Sequence, residues 1–179
     1  MTTESVAPEV LHPWGIYLQA SEEARRRGDR RTGTDHLLLA LLEDPPIEAV
    51  LGVSLQQARE ALESLDHEAL GALGLASGPG ADAPPLPMRA VPKKPRIRDV
   101  IRNDRLRMTP AAKRVLEEAV KPNRRGTQVT AQQVLAQILA LQPPDPAAVL
   151  LGALGVDTSG ALRELAPALA PPDQSRGRR

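Results

Sequence analysis

The polar cluster best suited to specific chemistry is the stretch GTDH at residues 33–36, which stands directly before a run of leucines. A carboxylate there could pair with a guanidinium group, and an imidazole could act as a base or a metal ligand. The two other histidines lack metal-ligand spacing with His36, and Ser, His and Asp are not arranged as a triad. We therefore interpret His36 as a hydrogen-bonded structural residue. We predict no catalytic residue, no metal and no cofactor.

Thr34 and Asp35 are the candidate ligand-binding residues of this stretch. The alternative is that they serve only the start of a helix, where an acidic or hydroxyl residue satisfies free N–H groups and favours the helix dipole. Both interpretations require a helix that begins at this point, and the leucines that follow predict one.

A second cluster is cationic and lies between residues 89 and 107, where basic residues crowd against only two aspartates. It could hold phosphates or an acidic partner. It contains no aromatic residue to stack on bases, and no helix-turn-helix or zinc motif. We favour a solvated connector and keep a nucleic-acid-associated regulator as the alternative function. The basic residues concerned are Arg89, Lys93, Lys94, Arg96 and Arg98, followed by Arg102, Arg105 and Arg107.

Composition limits the class of protein. The 179 residues carry 23 basic and 22 acidic side chains and no cysteine, so there is no strong overall field and no disulfide or thiolate chemistry. Trp14 and Tyr17 are the only aromatic residues, which leaves Leu, Ala, Val and Ile to build the core and favours helices. No apolar run could span a membrane, and the first residues do not resemble a signal peptide. We predict a cytoplasmic protein without a membrane partner.

Proline-rich and polar stretches divide the chain. Residues 1–12 are predicted to be a disordered lead-in, 76–105 a Pro-rich basic linker and 171–179 a disordered tail. The apolar blocks between them are 13–75 and 106–170. Neither is large enough to be stable alone, so we expect them to form one domain.

Each block begins with a helix that carries one apolar stripe. The first is predicted over about 13–27. The second begins at Thr109-Pro110, a cap followed by proline at the first helical position, and it must end near Lys121 because a proline follows.

The two blocks then continue in the same order, with a capped leucine-rich helix, a proline pair, a short apolar helix that ends at a glycine, and a fourth capped helix. The matched positions are Thr34 and Thr130, Pro45-Pro46 and Pro143-Pro144, Gly52 and Gly155, and Ser54 and Asp157. This order predicts an all-α fold without a sheet, made by tandem pseudo-twofold duplication of a four-helix repeat, with up to eight helices.

The segments SEEARRRGDRRTGTDHLLLALLED and MTPAAKRVLEEA resemble the openings of the two repeats in the amino-terminal domain of Clp unfoldases, and LGV followed by a capped helix occurs in both blocks. In that family the first segment carries a GTEH tetrad. The chain contains no G-x-x-x-x-G-K-[ST] phosphate loop, so the resemblance is to the binding domain without its motor.

The resemblance implies a non-catalytic bacterial module that binds proteins or peptides, with Clp unfoldase subunits, adaptors or cyclic peptides as partners. Its implied role is to modulate Clp proteolysis or to sequester cyclic peptides that target Clp, as a stand-alone member of the family. In relatives from Gram-positive bacteria the acidic residue of the tetrad helps to bind phosphorylated arginine. Asp35 matches that residue, whereas the second copy has the neutral Gln132.

Overall fold

The structure is a computed structural model, and it describes residues 10–11, 13–74, 106–121 and 129–169. Within these ranges the chain forms eight helices and four strands of two residues each. The predicted lead-in, linker and tail fall almost wholly outside the described residues. None of the described helices is long and apolar enough to cross a membrane.

The first repeat contains helices α1 to α4. Helix α1 is Pro13–Arg27, α2 is Thr34–Leu41, α3 is Pro45–Leu51 and α4 is Leu55–Ala72. Gly28, at φ +79°, ends α1, and the Asp29 N–H bonds the Ala24 carbonyl in a Schellman arrangement. Ser54 caps α4 in a complete capping box with Gln57, as predicted.

The second repeat contains helices α5 to α8, which are Pro110–Val120, Ala131–Leu139, Pro146–Ala153 and Thr158–Leu169. The hydroxyl of Thr109 accepts the Ala112 N–H and confirms the predicted cap of α5. Thr130 and Gln133 form the predicted capping box of α6.

The glycines that follow α3 and α7 were predicted to be left-handed, and both are. Gly52 has φ +66° and Gly155 has φ +68°. The proline pairs are not equivalent, however. Pro45-Pro46 open α3 after Asp44, whereas Pro143-Pro144 lie in the preceding turn and Pro146 opens α7 after Asp145.

The core lies at the junction of the repeats. Helix α2 packs on α6, and each also contacts helices of the opposite repeat, so α2 meets α7 while α6 meets α3. Leu38 and Leu135, at matched positions of α2 and α6, are both fully buried. The leucines of α2 are buried on every side, which confirms the prediction of a central rather than an amphipathic helix.

Four short strands correct the prediction of no sheet. Strands β1 (Val10–Leu11) and β3 (Arg107–Met108) precede α1 and α5, while β2 (Arg31–Thr32) and β4 (Val129–Thr130) precede α2 and α6. Strand β1 pairs with β4, and β2 pairs with β3, so each repeat hydrogen-bonds the other. The first pair is antiparallel and the second parallel. Two residues suffice because the helices already bring these segments together.

Candidate functional site

The GTDH stretch lies where α2 begins, at the contact between the repeats. Helix α2 starts at Thr34, and its cap position is Gly33. The prediction that Thr34 caps this helix is therefore wrong. A glycine has no side chain to cap with, and the reciprocal bond of a capping box comes from His36 alone, whose Nδ1 accepts the Gly33 N–H at 3.0 Å.

The side chain of Thr34 faces the second repeat. Thr34 is almost fully buried, and its hydroxyl donates a hydrogen bond to Asp145 Oδ1 at 2.6 Å. The same carboxylate oxygen accepts the Ala147 N–H and caps α7. Thr34 thus holds two helix starts together, and its predicted role in ligand binding stays a prediction.

Asp35 lies folded back over the cap position. Its side chain is 11% exposed. A Cβ added to Gly33 would stand 2.3 Å from Asp35 Oδ1. Glycine is therefore required at position 33 by close approach rather than by backbone conformation, since φ there is −95°.

The acidity of Asp35 reflects opposing effects. Burial raises the pKa of the carboxyl, but contacts with the side chain and backbone N–H of His36, together with the charge of Arg27, outweigh this effect and lower the pKa overall. Asp35 is thus held ionised by its neighbours.

Arg27, the last residue of α1, is the partner of three carboxylates. Its Nη1 lies 3.2 Å from Asp35 Oδ2 and 3.7 Å from Asp29 Oδ2, and its Nη2 lies 2.5 Å from Asp66 Oδ2. Asp66 belongs to α4, so this guanidinium connects α1, α2 and α4. Arg27 therefore pairs with the Asp35 carboxylate, which the sequence had suggested as a ligand-binding group.

His36 is 3% exposed and, as predicted, hydrogen-bonded. Its Nε2 lies 3.0 Å from Asp29 Oδ2, and its Nδ1 lies 3.1 Å from Asp35 Oδ1. No group of three or more potential ligands in the described part of the chain could hold a metal ion.

A groove of about 530 Å³ opens beside these residues, and we call it the tetrad groove. Its charged lining comes from the end of α1, the following turn, β2, the start of α2 and α4, and its apolar lining comes from α4 and α7. The charged side chains are Arg27, Asp29, Arg30, Arg31, Asp35 and Asp66, and the apolar ones are Leu62, Leu65, Pro146 and Val149.

A separate groove of about 470 Å³ lies between α1 and α5, and we call it the apolar groove. Trp14 and Tyr17 form one wall with ring centroids 5.0 Å apart. The Tyr17 hydroxyl donates to the Leu106 carbonyl at 2.5 Å and so fixes this wall to the other repeat. The remaining lining residues are Pro13, Met108, Lys113, Leu116, Glu117 and Val120. This surface was not predicted from the sequence, although the apolar stripe of α5 could have indicated it.

The other predicted sites are not assembled in the described residues. Gln132 takes the place of Asp35 in the second repeat, so no equivalent carboxylate exists there. The linker residues Arg89, Lys93, Lys94, Arg96 and Arg98 lie outside the described residues, and their role stays a prediction.

Two four-helix repeats pack on each other to form an all-helical domain, and grooves lie open at their junction. Residues 14–140 match the family described as the Clp repeat (R) N-terminal domain. The chain belongs to this family, and the match confirms the resemblance seen in the GTDH and TPAAKRVLE segments. The family's domain binds proteins and adaptors and is not catalytic. A search of curated proteins found no matching relative.

Proposed function

We propose that this protein is a non-catalytic module that binds protein segments through the apolar groove. The observation that carries the proposal is the clustering of the only two aromatic side chains of the protein on one wall of that groove. Trp14 is 40% exposed although it belongs to a helix that packs on the core. Exposed aromatics in a concave apolar surface are typical of binding sites.

The chemistry of the groove favours an apolar peptide. Its floor is built by Met108, Leu116 and Val120, and only Lys113 and Glu117 bring charge to its rim. These two are paired at 3.5 Å and both are well exposed. The pair offers hydrogen-bond donors and acceptors to a peptide backbone without adding a net charge.

Membership of the Clp family supports a finer role in regulated proteolysis. The binding partners would be Clp unfoldase subunits, their adaptors or cyclic peptides that target Clp. By engaging them, the protein would modulate Clp proteolysis or sequester such cyclic peptides. The setting would be the cytoplasm of a bacterium.

Trp14, as the single tryptophan, makes the proposal directly measurable. We would titrate the full chain with a permanently unfolded polypeptide and with a cyclic peptide that targets Clp, following Trp14 fluorescence. Saturable binding that is lost in Val120→Glu is the expected result, since a charge would then lie in the apolar floor. Leu70→Glu, at an exposed leucine of α4 that lines neither groove, is the matched control and should bind normally.

Two outcomes would refute the proposal. One is the absence of saturable binding to both probes by a correctly folded protein. The other is binding that Val120→Glu and Leu70→Glu weaken equally. A milder second variant, Val120→Ser, guards against misfolding of the first, and circular dichroism would check both.

A further inference from the structure

The rim of the tetrad groove carries arginines that no acidic side chain of the described residues neutralises. Arg30 and Arg31 line the groove, and neither forms an ion pair or a side-chain hydrogen bond within the described residues. The carboxylates of the same groove, by contrast, are engaged by Arg27 and His36.

Strand pairing brings a third arginine next to them. Arg31 of β2 and Arg107 of β3 are register partners, so their side chains leave the strand pair on the same side. Both are exposed, and Arg107 likewise has no acidic partner among the described residues. Like charges held side by side repel each other, and an anionic group placed between them would relieve that repulsion.

The wall of the groove beside this arginine group is apolar. Leu62, Leu65 and Val149 come from α4 and α7, and Val149 is 38% exposed. A ligand that reaches both features needs an anionic group next to an apolar side chain. The sugar-phosphate backbone of a nucleic acid supplies the first but not the second, and the lining contains no aromatic residue on which a base could stack.

We propose that the tetrad groove is a second protein-binding surface, which takes an acidic segment with its carboxylates at Arg30, Arg31 and Arg107 and an apolar side chain against Leu62, Leu65 and Val149. The sequence predicted that a carboxylate, Asp35, would bind a cationic ligand, whereas here arginines would bind an anionic one. Arg27 already pairs with Asp35, so the charges that the groove offers to a ligand are those of Arg30 and Arg31, which have no ion pair within the described residues.

Fluorescence polarisation with the full chain and short fluorescein-labelled peptides tests this inference. A peptide of alternating Glu and Leu should bind, and its affinity should fall as salt is added, because exposed charges are screened. A Lys–Leu peptide and a Glu–Gly peptide should both bind much more weakly. The first lacks the anionic groups and the second lacks the apolar side chains.

Variants assign the binding to the groove. Reversing two charges in Arg31→Glu/Arg107→Glu should raise the Kd of the Glu–Leu peptide roughly tenfold or more, and Val149→Ser should weaken binding as well. Arg114→Glu is the matched control, because Arg114 is an exposed arginine of α5 without an ion pair in the described residues and outside the groove. Val120→Glu, which tests the apolar groove, should leave this binding unchanged, so the two proposals can fail separately.

Three results would overturn the inference. The Lys–Leu peptide could bind as well as the Glu–Leu peptide. The double charge reversal could have no more effect than Arg114→Glu. Labelled duplex DNA could bind more tightly than the Glu–Leu peptide and be lost in the same double variant, which would identify a nucleic-acid surface instead.

Discussion

The hydroxyl of Thr34 and the carboxylate of Asp145 are joined by a hydrogen bond of 2.6 Å across 111 positions of the chain. The bond links the first turn of α2 to the first turn of α7, and therefore one repeat to the other. It has no symmetric counterpart. Gly33 and Thr130 both take the cap position, so Thr34 matches Ala131 in the second repeat and not Thr130, as the sequence had suggested. The duplication is thus symmetric in its helices but not in its polar contacts.

Thr34→Val should lower the free energy of unfolding by about 1–3 kcal/mol. The substitution keeps the shape of a buried side chain but removes a hydrogen bond to a charged acceptor. Urea denaturation would measure the change. Thr158→Val, at the first position of α8, is the control and should change stability by no more than about 0.5 kcal/mol. Equal effects of the two substitutions would show that the bond to Asp145 adds nothing.

Leu38→Ala and Leu135→Ala should each cost about 2–5 kcal/mol, because each empties part of a fully buried position between α2 and α6. The two losses should be similar, since the positions are related by the duplication. Leu70→Ala is the control. Leu70 is exposed near the end of α4, so its truncation should change the free energy of unfolding little. A cost below about 0.5 kcal/mol at either buried position would contradict the central place of these helices.

Gly33→Ala should destabilise the protein by about as much as Asp35→Ala does. The added Cβ would displace the Asp35 carboxylate from Arg27 and His36, while alanine tolerates the φ of −95°. The two substitutions should not be additive, because both remove the same contacts. A double-mutant cycle by chemical denaturation would measure the coupling. Additive losses would mean that Gly33 is required for some other reason.

The lowered pKa of Asp35 predicts a loss of stability in acid. Because the folded protein holds this carboxyl below the ordinary aspartate value of about 3.9, its contribution is complete above that pH. The contribution falls away as the pH drops through the lower folded pKa. The stability difference between wild type and Asp35→Asn should therefore be largest near neutral pH and shrink below about pH 4. A stability difference that grows as the pH falls would contradict a lowered pKa of Asp35.

Free arginine, which carries no phosphate that could bind Arg30 or Arg31, should not shift the NMR signals at the start of α2 in the wild-type protein, because Arg27 already pairs with Asp35. Arg27→Met keeps an unbranched apolar side chain and removes the guanidinium, so it should admit free arginine weakly, with a Kd on the order of millimolar. Adding Asp35→Asn should abolish the gain. Arg30→Met removes an arginine of the same groove that has no ion pair among the residues the structure describes, and it should gain nothing. Binding to wild type that persists in Asp35→Asn would exclude this carboxylate as the receptor.

The sequence predicted most helix boundaries, since local residues decide them. Thr109 and Pro110 specify the start of α5, and the glycines at 52 and 155 end the short helices. Such caps and breakers act within one turn of chain, so their effect can be inferred without a tertiary structure.

The details of the site could not be inferred in this way. Five arginines lie between residues 25 and 31, and nothing in their order indicates which of them meets Asp35. The turn at Gly28 and the approach of Asp66 from α4 select Arg27. Thr34 was assigned as a cap because its hydroxyl suits that role locally, but packing against α7 gives the hydroxyl to Asp145.

The reciprocal strands have a consequence for the origin of the fold. Because β1 pairs with β4 and β3 pairs with β2, each repeat contributes a short strand to its neighbour, although the first pair is antiparallel and the second parallel. Because the two repeats belong to one chain, their association is intramolecular. The effective concentration of one repeat at the other therefore does not depend on expression level. Each half is then free to diverge, because a substitution in one copy is no longer imposed on both. The matched positions Thr34 and Ala131 differ in this way, and so do Asp35 and Gln132.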